Sequence, residues 1–166
     1  MKSQQPKITL QQKPIDKLLK GISIVILLFG VGYLILKYNT LPNVIPVHFN
    51  GSGIPDRWAS KWQLWLLPLI STILLLGLFY LMRFPHKLNY LQTITQDNAL
   101  KQYTLAVRLL QLLTLYIQVL FAFLIYKTIA VATDKVVGLG NYFLVLLITV
   151  SLLLFIWHAL MSFKNA

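Results

Sequence analysis

Cysteine is absent from this 166-residue chain, which excludes disulfide bonds, thiolate metal sites and a cysteine nucleophile. Glutamate is absent as well, so the four acidic residues are all aspartates. Charged residues of either sign make up only 11% of the chain, whereas an average soluble domain has about 25%. The chain therefore lacks the polar surface that a water-soluble protein needs, and this scarcity of charge indicates a membrane protein.

The apolar residues are concentrated in four long runs that carry almost no charge. About 20 apolar residues cross a bilayer as a helix, and the unpaired backbone groups of a loop or an open sheet cannot face lipid. We therefore predict an all-α integral membrane protein with a cytoplasmic tail at residues 1–16 and a four-helix membrane domain at 17–166. The predicted transmembrane helices cover approximately residues 18–36, 62–82, 103–126 and 141–161.

The fifteen lysines and arginines give the chain a net charge of +11. They lie mainly at the ends of the apolar runs, as expected of membrane anchors and topology signals, so we predict the lipid bilayer as a partner and no nucleic acid. Their distribution favours a multi-pass membrane protein with both termini in the cytoplasm, and the reversed topology is the alternative. The predicted cytoplasmic set is Lys2, Lys7, Lys13, Lys17, Lys20, Arg83, Lys87, Lys101, Arg108 and Lys164, against Lys37, Arg57, Lys61, Lys127 and Lys135 on the other side.

The loop between the first two predicted helices, residues 38–61, has a strongly specified backbone. Its three prolines and two glycines alternate fixed and permissive backbone positions. Residues 50–53, Asn-Gly-Ser-Gly, predict a turn, and the stretch at 44–49 that leads into it predicts a strand or an extended arm. We therefore expect an ordered extracytoplasmic loop between helices 1 and 2.

This loop resembles the signature of a known family. The motif in this loop reads Leu41-Pro42-x-x-Ile45-Pro46-x-His48-Phe49-Asn50-x-x-Gly53-x-Pro55-Asp56-Arg57-Trp58-x-x-Lys61. This motif is similar to that of a bacterial membrane family of unknown function, domain of unknown function 1648. The same domain is found in SdpI-like proteins, which confer immunity to a secreted peptide toxin. The resemblance implies a multi-pass protein of the bacterial cytoplasmic membrane. Our leading hypothesis is a non-enzymatic membrane protein whose loop recognises a peptide, an envelope component or a partner protein, with SdpI-like toxin resistance as one version. The candidate binding residues are Pro42, Pro46, His48, Phe49, Asn50, Gly53, Pro55, Asp56, Arg57, Trp58 and Lys61.

The chemistry that the loop could carry centres on His48 and Asp56. The two could share a cation or a proton, and histidine titrates near neutrality, so a small membrane enzyme or transporter is a second hypothesis. One histidine and one aspartate are too few for a structural zinc site, which needs four ligands, and we predict no metal and no cofactor. The structural interpretation is that Asp56 caps a helix beginning near Arg57 or Trp58, while His48 forms a hydrogen bond across the hairpin.

A polar stripe marks the third predicted helix. Its members are spaced by three and four residues, which places them on one helical face. The stripe predicts either hydrogen bonds between helices or a polar pathway, and as an interface it would suit a third hypothesis, an accessory subunit of a membrane complex. No aspartate lies within a predicted span, which disfavours proton-coupled transport. The stripe consists of Arg108, Gln111, Thr114 and Gln118.

Overall fold

The computed structural model describes residues 5–164. Within this range four helices are long and apolar enough to cross a membrane, so the predicted all-α membrane fold is confirmed, with a small two-stranded sheet added in the loop. The elements are α1 (Pro14–Tyr38), β1 (Val44–Phe49), β2 (Pro55–Ser60), a 3₁₀ helix (Lys61–Trp65) that leads into α2 (Leu66–Leu81), a 3₁₀ turn (Pro85–Lys87), α3 (Ala99–Ala132) and α4 (Phe143–Lys164).

The helix α3 is the central element, and it packs parallel to α1. The Tyr33 and Tyr126 rings lie 5.9 Å apart, and Gly30 faces Ala122 at ordinary contact distance. A small residue on each helix lets the two backbones approach, which is how helices pack in lipid without a hydrophobic driving force. The bundle is therefore organised around the α1–α3 pair.

Two reciprocal hydrogen-bonded pairs join α3 to its other neighbours. Ser71 on α2 donates its hydroxyl to Gln118 Oε1 at 2.7 Å, and the Gln118 amide donates to the Ser71 carbonyl at 3.3 Å. Near the other end of α3, the Ser162 hydroxyl donates to Gln102 Oε1 at 2.9 Å, and the Gln102 amide donates to the Ser162 carbonyl at 2.9 Å. Each glutamine thus satisfies its buried amide against a serine of α2 or α4.

The two ends of the bundle differ in construction. The hairpin of β1 and β2 lies at one end, called here the hairpin end, where it packs on the helices through an apolar cluster formed by Leu34, Leu41, Ile45, Leu64, Ile125 and Ile129. At the opposite end, α1 and α3 begin and α2 and α4 finish. The main apolar cluster thus sits beneath the hairpin, and it holds the loop on the helices.

The helix bounds refine the predicted spans and tail. Helix α1 begins at Pro14, so Asp16, which we predicted in the tail, lies in its first turn, where its carboxylate accepts a hydrogen bond from the Lys13 backbone N–H at 2.7 Å. Helix α3 begins before the predicted span and continues beyond it. Tail residues 5–13 are not helical, and Pro6 accepts a hydrogen bond from the Tyr103 hydroxyl at 2.9 Å. Tail residues 1–4, with Lys2, lie outside the described residues.

Candidate functional site

The hairpin forms because its sequence combines strand residues with a turn that closes on itself. β1 and β2 pair antiparallel, with a bulge on either side of His48. In the turn, the Asn50 side chain accepts hydrogen bonds from the Ser52 and Ile54 backbone N–H groups at 3.0 and 3.1 Å, as asparagine does in turns. Gly53 adopts a φ of 76°, a left-handed conformation that glycine tolerates without steric cost. The predicted ordered loop is therefore a closed β-hairpin.

The residues of the hairpin differ in their exposure. Ile45 and Pro46 are buried against the helices, and Phe49 and Pro55 are half-buried. Trp58, which pairs with Pro46 in the strand register, keeps 51% of its surface accessible. The candidate residues therefore divide into those that hold the hairpin in place and those that it displays; Pro42, His48, Asn50, Asp56, Arg57 and Trp58 are exposed.

Lys61 fixes the end of the hairpin to the end of α1. Its ammonium group donates hydrogen bonds to the Leu41 and Tyr38 carbonyls at 3.2 and 3.4 Å and lies 5.0 Å from the centre of the Tyr38 ring. A cation is favourable at this position, because the carbonyls that end a helix carry partial negative charge. Although the sequence suggested Lys61 as a binding residue, its contacts here are with the protein's own backbone.

A backbone contact with the α3–α4 connection holds the tip of the hairpin. The Leu139 N–H donates to the Gly53 carbonyl at 2.8 Å. A Cβ atom on Gly138 would overlap with that same carbonyl oxygen, and one on Gly53 would lie 2.9 Å from the Gly140 carbonyl oxygen. Glycine on both sides allows this approach. In the sequence, Gly138 and Gly140 by themselves indicate only a tight turn and do not reveal the contact with the hairpin.

The exposed residues of the hairpin include one close polar contact. His48 Nδ1 and Asp56 Oδ1 lie 2.5 Å apart, and the two side chains keep 54% and 43% of their surface exposed. The hydrogen bond predicted for His48 across the hairpin is thus present. The capping role predicted for Asp56 is wrong, because the chain continues in β2 through Asp56 to Ser60 and the following 3₁₀ helix begins only at Lys61.

Arg57 completes the exposed cluster. It pairs with His48 in the strand register, and His48, Asp56 and Arg57 line an open cleft of about 280 Å³. The cleft therefore presents one carboxylate, one imidazole and one guanidinium to the surroundings. Among residues 5–164, no group of three or more histidine, cysteine, aspartate or glutamate side chains lies close enough to hold a metal ion.

The polar stripe of α3 is far from this cleft and faces the inside of the bundle. Gln118 bonds Ser71, and the Thr114 hydroxyl donates to the Leu110 carbonyl of its own helix at 2.7 Å. Gln111 is buried, and its Oε1 has no partner among the described residues. Arg108 Nη2 lies 3.1 Å from Asp16 Oδ1. These contacts favour the packing interpretation of the stripe. The sequence did not reveal the contact of Asp16 with Arg108 or that of Gln102 with Ser162.

The fold defines a multi-pass membrane protein with a structured hairpin at one end. Residues 25–72 match the family described as Domain of unknown function (DUF1648), so the predicted resemblance is confirmed for a segment that runs from α1 through the hairpin into α2. The chain is also similar to a protein of Archaeoglobus fulgidus described as uncharacterized, with 42% identity over 41 residues, a stretch that covers 25% of this chain and 22% of that relative. No solved structure matches this chain.

Proposed function

We propose that the hairpin is a recognition module for a peptide or a partner protein at the membrane surface. The observation that carries the proposal is the exposed contact between His48 and Asp56 on a hairpin whose other face is fixed to the bundle. Polar side chains on a scaffolded loop are typical of binding sites, because the scaffold fixes their geometry before a partner arrives. Such preorganisation reduces the entropy lost on binding.

The shape of the cleft supports recognition of a protruding polar group. Sites that bind small molecules usually enclose most of the ligand surface in a deep apolar pocket, whereas this cleft is open and polar. The Arg57 guanidinium can form paired hydrogen bonds with a carboxylate, and the Asp56 carboxylate can accept bonds from an amide or a cation. A peptide segment provides both kinds of group, and this favours recognition over an enzyme or a transporter that uses His48 and Asp56.

Exposed apolar residues of the hairpin support a protein or peptide partner. Trp58 and Ile54 keep about half of their surface accessible. Tryptophan and arginine are enriched among the residues that dominate interface energies, and the hairpin exposes both Trp58 and Arg57. The distribution of basic residues favours the extracytoplasmic side for this surface, where a secreted peptide would arrive. Resistance to a peptide toxin of the SdpI kind is one form of this function.

Site-specific photo-crosslinking at Ile54 in living cells tests the proposal. We expect one discrete adduct whose mass identifies a peptide or a membrane partner, and we expect His48→Ala and Asp56→Asn to reduce its yield at least tenfold at unchanged protein level. The matched control is Ser52→Ala, because Ser52 is exposed in the same turn and only its backbone N–H forms a hydrogen bond there. An adduct of equal yield in all three variants would contradict the proposal.

A second experiment tests on which side of the membrane the hairpin lies and whether the protein confers toxin resistance. A cysteine introduced at Ser52 of the cysteine-free chain is expected to react with a membrane-impermeant thiol reagent added outside intact cells. Cells that produce the protein are then challenged with secreted peptide toxins, and survival that depends on His48 and Asp56 supports the immunity version. Labelling only after the cells are broken would place the hairpin in the cytoplasm. This result would overturn the proposal that the hairpin recognises extracellular peptides.

A further inference from the structure

A second cleft lies at the end of the bundle opposite the hairpin. It occupies about 330 Å³ between α3 and α4, and it is unrelated to the recognition surface proposed above. Three of its residues, spaced by three and four positions, follow one face of α3, and Trp157 contributes from α4. The lining consists of Leu100, Lys101, Thr104, Leu105, Arg108 and Trp157.

The charge of this cleft is positive. Lys101 and Arg108 are its two charged residues, and no carboxylate is part of the lining. Asp16 lies outside the lining, and its Oδ1 lies 3.1 Å from Arg108 Nη2. Because a guanidinium has five N–H donors, this ion pair holds Arg108 at the cleft and leaves further donors for an anion. About a quarter of the Arg108 side chain is exposed.

The position of the cleft along α3 corresponds to the level of the lipid phosphates. Residues 109–126, between Arg108 and Lys127, contain no charged side chain. At 1.5 Å per residue they span about 27 Å, which is close to the roughly 30 Å of a hydrocarbon core. Arg108 and Lys127 therefore mark the two boundaries of the core, and tryptophans such as Trp157 are enriched at those boundaries.

Apolar surface continues from the cleft along α4. Ile156 and Leu160, on either side of Trp157, are more than half exposed. We propose that this cleft binds the phosphate headgroup of an anionic phospholipid, with Lys101 and Arg108 contacting the phosphate and the acyl chains lying along α4. A lipid fits better than a soluble anion, because the cations stand directly beside surface that is suited to acyl chains.

Native mass spectrometry of the purified full-length protein tests this proposal. The protein is mixed with equal amounts of phosphatidylglycerol and phosphatidylcholine, and the lipid retained is identified. We expect wild type to retain phosphatidylglycerol preferentially. Lys101→Gln should lower the preference about fivefold, the ratio that corresponds to about 1 kcal/mol of attraction per lysine. Thr104→Phe should lower it as well, by filling the cleft with no change in charge.

The control variant is Lys17→Gln, which removes the same charge from an exposed position on α1 outside the cleft. We expect it to retain the wild-type preference. An equal loss in Lys17→Gln and Lys101→Gln would indicate general surface attraction and overturn the site, as would a preference that survives both Lys101→Gln and Thr104→Phe. Displacement of the lipid by soluble glycerol phosphate would identify a soluble anion as the ligand and overturn the lipid assignment.

Discussion

Gly53 and Gly138 lie against each other where the tip of the hairpin meets the connection between α3 and α4. The Gly53 carbonyl accepts a hydrogen bond from the Leu139 N–H at 2.8 Å, and the hydrogen atom in place of a side chain on Gly138 leaves room for that carbonyl. The hairpin is therefore attached to the bundle at its tip as well as at its base. A loop held at both ends is suited to present side chains in a fixed geometry.

We expect Gly138→Ala to destabilise the protein. The added Cβ would overlap with the Gly53 carbonyl, and overpacking of this kind costs about 1–3 kcal/mol. Thermal unfolding in detergent measures the loss. The control is Gly77→Ala, since a Cβ at Gly77 in α2 meets nothing within 4 Å and alanine is favoured over glycine in a helix by about 0.5–1 kcal/mol. Equal melting temperatures for wild type and Gly138→Ala would contradict this steric account.

The helices and the hairpin could be predicted from the sequence because each depends on local patterns. Uninterrupted apolar runs indicate the four membrane helices, and the Asn-Gly-Ser-Gly turn after the extended stretch at 44–49 indicates the hairpin, although its second strand was not predicted. The contact of His48 with Asp56 also followed, since a hairpin brings residues on either side of its turn together. The loop supplies the candidate site, so its main residues were accessible to sequence reasoning.

The contacts that fix the site were less accessible, because they join segments distant in sequence. The contact of Gly53 with Gly138 requires knowledge of how α3 and α4 return to the hairpin, which no local pattern contains. The ion pair of Asp16 with Arg108 requires the parallel register of α1 and α3. The error at Asp56 has a different cause: an aspartate before an apolar run is typical of a helix cap, but pairing with β1 keeps this residue in a strand.

We expect the contact between His48 and Asp56 to contribute little to folding. Both side chains are about half exposed, and ion pairs in contact with water contribute at most about 1 kcal/mol. Asp56→Asn should therefore leave the free energy of unfolding nearly unchanged. Ile45→Ala, at a buried position of the partner strand β1, should cost about 2–5 kcal/mol. A loss in Asp56→Asn as large as that in Ile45→Ala would assign Asp56 a structural role instead of a recognition role.

The Ser71–Gln118 pair is expected to contribute measurably to the packing of α2 on α3. Hydrogen bonds between membrane helices contribute about 0.6 kcal/mol on average and up to about 1.7 kcal/mol. Ser71→Ala should therefore lower stability within that range, and a double-mutant cycle with Gln118→Leu should recover a coupling of similar size. Thr72→Val is the control, because the Thr72 hydroxyl donates to the Pro68 carbonyl of its own helix at 2.7 Å. Coupling near zero would show that apolar packing alone holds these helices.

Tyr90 should make the connection between α2 and α3 sensitive to alkaline pH. Burial, with the nearby Tyr103 as the smaller cause, raises the pKa of Tyr90 above its ordinary value, and its hydroxyl donates to the Pro85 carbonyl at 2.8 Å. A pKa that is higher in the folded state means that folding favours the neutral phenol, so this contribution is complete below the unfolded pKa of about 10. This contribution to stability is lost as the pH rises above about 10 and through the higher pKa of Tyr90 in the folded protein.

Unfolding measured between pH 8 and pH 12 tests this account. Tyr90→Phe should lose about 1 kcal/mol at neutral pH, because the hydrogen bond to Pro85 disappears, but its stability should fall less than that of wild type above about pH 10. Tyr142→Phe is the control, since Tyr142 is well exposed and its removal should leave the alkaline decline intact. If Tyr90→Phe declines as steeply as wild type, the alkaline sensitivity originates elsewhere, because a phenylalanine at this position has no proton to release.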